Sequence, residues 1–169
     1  MKKWFWQGIV VLSVCVGCSS KVQIYKKPGV DLHKQKILIV PFENMTSTSK
    51  AGAIVSKLIE AEFQTQGDFK VEQVGDGDKE TSSETKALEM AKERKASLLL
   101  LGTVTEFRYR KGFSENPAIG FTAKLLLVDT KEILWNATLS DSSEPFITSA
   151  LTLNELAQKM ARHVVESMR

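Results

Sequence analysis

The stretch SLLLLGTVTEFRYRKGFSENPAIGFTAKLLLVDTKEILWNATLS, residues 97–140, decides the fold. It opens on an aliphatic run, SLLLLG, of the kind a strand carries when both of its faces are buried. After Gly102 the run gives way to alternation, so a first strand is predicted over 97–109. Ile119, Phe121, Ala123, Leu125 and Leu127 share one face of a second strand, and Ile133, Trp135, Ala137 and Leu139 one face of a third. The turn Asp129-Thr130-Lys131-Glu132 joins the last two as an antiparallel hairpin.

The elements outside this stretch complete the pattern. KILIVPF, residues 36–42, is another continuous aliphatic strand, with Pro41 at the end where a ladder hydrogen bond is dispensable. A cap-rich loop over 44–49 leads to a helix with Ala51, Ile54, Val55, Leu58, Ile59 and Phe63 on one stripe, stopped by Gly67. Phe69, Val71 and Gln73 alternate in a short strand. A polar loop over 75–84 precedes a second helix, about 84–95, which buries Ala87, Leu88 and Ala91. Thr152-x-x-Glu155 is a capping box that opens a last helix. Its stripe is Leu153, Leu156, Ala157, Met160, Ala161, Val164, Val165 and Met168. The order is β-α-β-α-β-β-β-α, an α+β (mixed α/β) domain over 36–169 with a mixed sheet packed by helices.

The first residues read as a secretory signal over 1–17. Met1-Lys2-Lys3 is its positive start, and 4–16 is mostly apolar but short of the roughly 20 residues a spanning helix needs. Cys15 and Cys18 form a C-x-x-C pair. A redox pair would sit at a helix N-terminus after a strand, whereas this one closes an apolar run with no fold before it. A zinc site would have to draw His33 and His163 from opposite ends of the chain. Cys15-Val16-Gly17-Cys18 instead resembles a bacterial lipobox. That resemblance implies cleavage before Cys18 and acylation of its thiol, with Cys15 in the place usually held by an aliphatic residue. Two or three acyl chains anchor stably, since each buried CH₂ contributes roughly 0.8 kcal/mol. Ser19 stands where an Asp would mark inner-membrane retention, so the periplasmic face of the outer membrane is the expected location. Residues 18–35 then form the lipidated cysteine and a short polar tether, with Lys26-Lys27-Pro28-Gly29 as a turn and a reach under about 60 Å.

Charge narrows the choice of partners. The chain carries 23 basic and 20 acidic side chains, but loss of Lys2 and Lys3 with the signal leaves 21 against 20, a net +1. Nothing in that balance favours nucleic acid. Catalytic constellations are missing from the pattern as well. His33 lies in the tether and His163 on the polar side of the last helix, neither beside a Ser or Asp motif. Asp76 and Asp78 lack the remaining spacing of a calcium loop, and Gly75 and Gly77 that of a phosphate cradle. No enzyme activity, cofactor or metal is expected. The stretch 105–121 predicts a strand with Phe107 and Tyr109 inward and Arg108 and Arg110 outward. Arg108, Tyr109 and Arg110 are also the candidate subunit or polymer contact, because Arg and aromatic residues favour such surfaces.

The run from LLLLGTVTEFRYRKG through NPAIGF and EILW, with VPFEN at 40–44 and TLNELAQKMARHVVESM at the end, resembles PelC-like outer-membrane lipoproteins of Pel exopolysaccharide export. More widely it is similar to the LpoB, CsgG and TolB N-terminal-domain group. The resemblance implies a lipoprotein anchored through Cys18 that forms a ring below an outer-membrane channel and guides a cationic polysaccharide. It places Phe146 and Ile147, in the loop Glu144-Pro145-Phe146-Ile147, against the membrane, with Phe146 where a Trp is usual. Asp76, Asp78, Glu80 and Glu84 become candidates for an acidic lumen. The wider group leaves an LpoB-like regulator of a peptidoglycan synthase, or an accessory lipoprotein of a curli, flagellar or pilus assembly, as alternatives. For the regulator the tether is short.

Overall fold

The computed structural model describes residues 21–33, 35–75, 83–109, 116–143 and 151–169. The aliphatic runs become the middle of a seven-stranded mixed sheet. Its strands are β1 (Lys21–Lys26), β2 (Lys36–Ile39), β3 (Glu43–Asn44), β4 (Lys70–Gln73), β5 (Leu98–Arg108), β6 (Ala118–Leu127) and β7 (Ile133–Ser142). Helices α1 (Ala51–Gln66), α2 (Glu84–Glu93) and α3 (Leu153–Met168) connect or follow them. Across the sheet the order is β1-β7-β6-β5-β2-β4, with β3 paired to β5 beyond the end of β2. The order β-α-β-α-β-β-β-α therefore runs through β2, α1, β4, α2, β5, β6, β7 and α3, with β1 and the two-residue β3 added to it.

The sheet has two kinds of half. β2, β4 and the start of β5 are parallel, and β5, β6, β7 and β1 are antiparallel. Helices α1 and α3 cover one face of both halves. Beneath them lies the main core, which includes Ile37, Ile59, Phe63, Leu100, Phe121 and Trp135. Helix α2 covers the other face over the parallel half alone, where Ala87, Leu88 and Ala91 bury Leu38, Val40 and Leu99. This explains the sequence pattern: double coverage demands an unbroken aliphatic run, single coverage an alternating one.

Helix ends follow their local chemistry. Gly67 closes α1 in the left-handed region at φ 70°, donating its N–H to the Phe63 carbonyl at 3.2 Å. The Thr152–Glu155 capping box is formed, and the Thr152 backbone N–H and hydroxyl hold the Glu155 carboxyl below its ordinary value. Ser83 caps α2 by accepting from Lys86 N–H at 3.2 Å. The 44–49 segment does not cap α1, which starts at a left-handed Lys50. Its side chains knit the loop instead: Asn44 Nδ2 donates to the Thr48 carbonyl at 2.8 Å, and Thr48 Oγ1 to the Phe107 carbonyl at 2.7 Å.

Three sequence expectations are corrected. The supposed free tether holds β1, whose residues pair with β7 from Lys21↔Ser140 to Lys26↔Trp135. Pairing to an edge, rather than burial, makes it a strand, and its lysines suit an edge position. Ile133 is exposed and Leu134 takes its place in the core, because the ladder slips between Leu125 and Leu126 and shifts the face of the β7 start. Tyr109 does not point inward. Phe107 is buried, but β5 ends at Arg108, so Tyr109 lies past the ladder and its half-exposed side chain no longer follows the strand's alternation.

Candidate functional site

Because α2 stops short of the antiparallel half, a broad face of β5, β6, β7 and β1 is left to solvent, and the register lines up its side chains. One rung runs Glu43, Thr103, Thr122, Thr138, Gln23 across five strands. The next runs Leu101, Lys124, Asn136, Tyr25 across four. Neighbouring members stand one strand spacing apart, about 4.8 Å, so hydroxyl and amide groups form a flat grid. A groove of about 710 Å³ opens over part of it, lined among others by Phe42, Glu43, Thr103, Thr122, Lys124 and Asn136. On the opposite, core face of β5, a Cβ at Gly102 would lie 2.3 Å from the Phe42 ring, so glycine there makes room for that ring against the strand.

The candidate residues named from the sequence fall in three places. Glu84 is exposed at the first position of α2, on the groove margin, where it pairs with Lys124 at 2.6 Å. It is therefore a compensated acid and not a spare negative charge. Arg108 and Tyr109 lie at the far end of β5. Arg108 pairs with Glu106 at 3.0 Å, and the half-exposed Tyr109 ring meets Phe107 edge-on, 5.9 Å between centroids. Cys18, Asp76, Asp78, Glu80, Arg110, Phe146 and Ile147 lie outside the described residues. The structure does not bring Glu84 and Arg108 together, since α2 sits over the parallel half and Arg108 at the end of the antiparallel one.

Other ionisable groups serve the scaffold. Glu72 on β4 is held below the usual carboxylate range by hydrogen bonds from Lys36 on β2 and Arg94 at the end of α2, at 2.6 and 2.7 Å. Asp141, 7% exposed at the end of β7, pairs with Lys159 of α3 at 2.8 Å. His33 stacks on Phe69 at 5.0 Å, and His163 is exposed on α3. Among the described residues no three His, Cys, Asp or Glu side chains converge on a point where a metal would sit. No helix among them is long and apolar enough to cross a membrane.

The uncovered half-sheet, the three helices and the edge strand form a fold with solved counterparts. A PelC dodecamer from Paraburkholderia phytofirmans superposes with a TM-score of 0.71 at 23% identity, over 88% of this chain and 96% of that one. The fold is PelC's. A lipoprotein from Neisseria meningitidis, GNA1162, is more distant, with a TM-score of 0.52 at 16% identity over 79% of this chain and 97% of that one. The hypothetical protein CT253 from Chlamydia trachomatis has a TM-score of 0.54 at 14% identity over 79% of this chain and 94% of that one. No family model matches the chain, and no curated protein matches it significantly. The strand pattern alone left the open half-sheet unassigned. Each strand shows which side chains point outward, but the rungs depend on register and on where α2 ends. The legible signal was the recurrence of Thr and Asn at outward positions, Thr122, Asn136 and Thr138.

Proposed function

We propose that this chain is a non-enzymatic lipoprotein of the bacterial outer membrane that assembles into a ring on the periplasmic face and serves an envelope export apparatus, with Pel-type exopolysaccharide as the cargo. The observation that carries the reading is the likeness to the PelC dodecamer over nearly nine-tenths of the chain. In this reading acylated Cys18 anchors each subunit, and Phe146 and Ile147 touch the bilayer and orient it. Asp76, Asp78 and Glu80 face the passage for the polymer, and an outer-membrane channel protein is the partner. Arg108, Tyr109 and Arg110 contribute to contacts between subunits or with the polymer.

A ring with rotational symmetry needs two unlike surfaces on each subunit. The edge of β1 and the open half-sheet supply two such surfaces. The test is the mass of the acylated, detergent-solubilised protein by light scattering or native mass spectrometry. A closed oligomer is expected, and a strict monomer at high concentration overturns the ring. Deleting the gene should abolish secreted polysaccharide while leaving its synthesis intact. Unchanged secretion would remove the export role.

A further inference from the structure

The groove on the open half-sheet combines three kinds of surface. Its polar floor is Thr103, Thr122 and Thr138 on one rung and Lys124 and Asn136 on the next. Members of a rung stand about 4.8 Å apart and the two rungs about 6.8 Å apart, so donors and acceptors repeat in both directions. Thr122, Asn136 and Thr138 are exposed. Toward α2 the lining turns apolar. Leu101 packs against the α2 core, and Ile133, 40% exposed, follows Leu99 and Leu126 across the sheet. Charge in the lining is balanced. Its acids are Glu43 and Glu84, its bases Lys50 and Lys124, and Glu84 is compensated by Lys124 at 2.6 Å. No residue of β1 lines the groove, so the β1 side of the open face stays free for a neighbouring subunit.

At about 710 Å³ the groove has the size of a small-ligand site. Its surface suits neither a cationic nor a purely apolar ligand. A cationic chain finds no net negative charge here, and an ammonium group set against Ile133 and Leu101 would lose its water without gaining a counter-ion. An apolar ligand would leave the threonine hydroxyls and the Asn136 amide buried and unpaired. The fitting ligand is uncharged and carries hydroxyls, amides and methyl groups at short intervals. An N-acetylated amino-sugar chain has all three. Its hydroxyls exchange hydrogen bonds with the threonines, and its acetamido N–H and C=O meet the Asn136 amide, which both donates and accepts. The acetyl methyl then rests on Ile133. At the periplasmic face of a bacterial membrane such a chain is the glycan of the cell wall.

We infer that this groove binds the N-acetylated glycan of the cell wall, tying the subunit to the wall as well as to its membrane. The chemistry of the groove is independent of the ring, and the wall as source rests on the proposed periplasmic location. The probes are a tetramer of N-acetylglucosamine and the same tetramer without its acetyl groups, titrated by calorimetry into the full-length acylated protein in detergent. The acetylated tetramer should bind, and the free amine should bind several-fold more weakly. Thr122→Ala and Asn136→Ala should each weaken binding about tenfold at an unchanged urea midpoint. Gln23→Ala, on β1 outside the groove, should bind like the parent. Absence of binding overturns the inference, as does full binding by both groove variants. Equal or tighter binding of the free amine overturns it too and gives the groove to a cationic chain. Isolated sacculi should sediment the parent and leave Asn136→Ala in the supernatant. A parent that binds the tetramer but not sacculi overturns the wall as the source. The mass of the protein in the same samples reports on the ring separately: a monomer that binds the tetramer fails the ring and keeps the groove, and a closed oligomer that does not bind fails the groove and keeps the ring.

Discussion

The parallel and antiparallel halves of this sheet share strand β5 and differ in how many of their faces are covered. In the parallel half α2 and the α1–α3 layer enclose β2 and the start of β5, and Leu38, Leu99 and Leu100 are fully buried. In the antiparallel half one face packs on α3 and the other presents Thr122, Lys124, Asn136 and Thr138. The first half is built for stability. The second keeps a surface free, and its core face alone must hold it.

The largest test of that contrast is Trp135→Ala. Trp135 is fully buried near the start of β7, beneath α3, and its indole N–H donates to Ser167 Oγ at 3.1 Å. Removing it should cost about 3–5 kcal/mol in urea unfolding, because the half has no second core to fall back on. A loss under about 1 kcal/mol would show that the single layer is not what holds it. A paired test follows. Leu99→Ala, under α2, should cost about 2–5 kcal/mol. Thr122→Ala, next door on β6 but on the open face, should stay within about 0.5 kcal/mol of the parent. Comparable losses would mean that the open face is covered in solution.

The smallest effect belongs to Glu72, whose pairs with Lys36 and Arg94 tie β4 and α2 to β2. These groups are about one-third exposed, so Glu72→Gln should cost under about 1 kcal/mol at neutral pH. The carboxyl titrates below its unfolded value in the folded protein. Its contribution is therefore complete above the ordinary carboxylate pKa and disappears as pH falls through the lowered folded one. Parent and variant should converge in acid, and a gap that widens there would reverse the assignment.

Much of this fold was legible because burial imprints periodicity. The SLLLLG run, the β6–β7 hairpin and the α3 stripe all appeared where the sequence placed them. The failures share a cause. β1 carries a period-two pattern in Lys21-Val22-Gln23-Ile24-Tyr25-Lys26, but its partner lies more than a hundred residues away and its side chains stay exposed. Burial therefore left no mark on it. Ile133 was assigned by an alternation that a ladder slip interrupts, and Tyr109 by one that stops where β5 ends at Arg108; neither has a signature in hydropathy. The candidate surface was legible only residue by residue. Thr122 and Thr138 point outward on their own strands, but their alignment with Thr103 and Gln23 is a product of assembly.

The pairing of β1 with β7 also sets an order of events. The opening strand finds its neighbour only after the chain has been made as far as Ser142, so the sheet closes last where it began first. Until then Val22 and Ile24 wait without a partner, and contacts so distant in sequence form slowly. A nascent copy is thus exposed to mispairing at its leading edge for almost the whole of its synthesis.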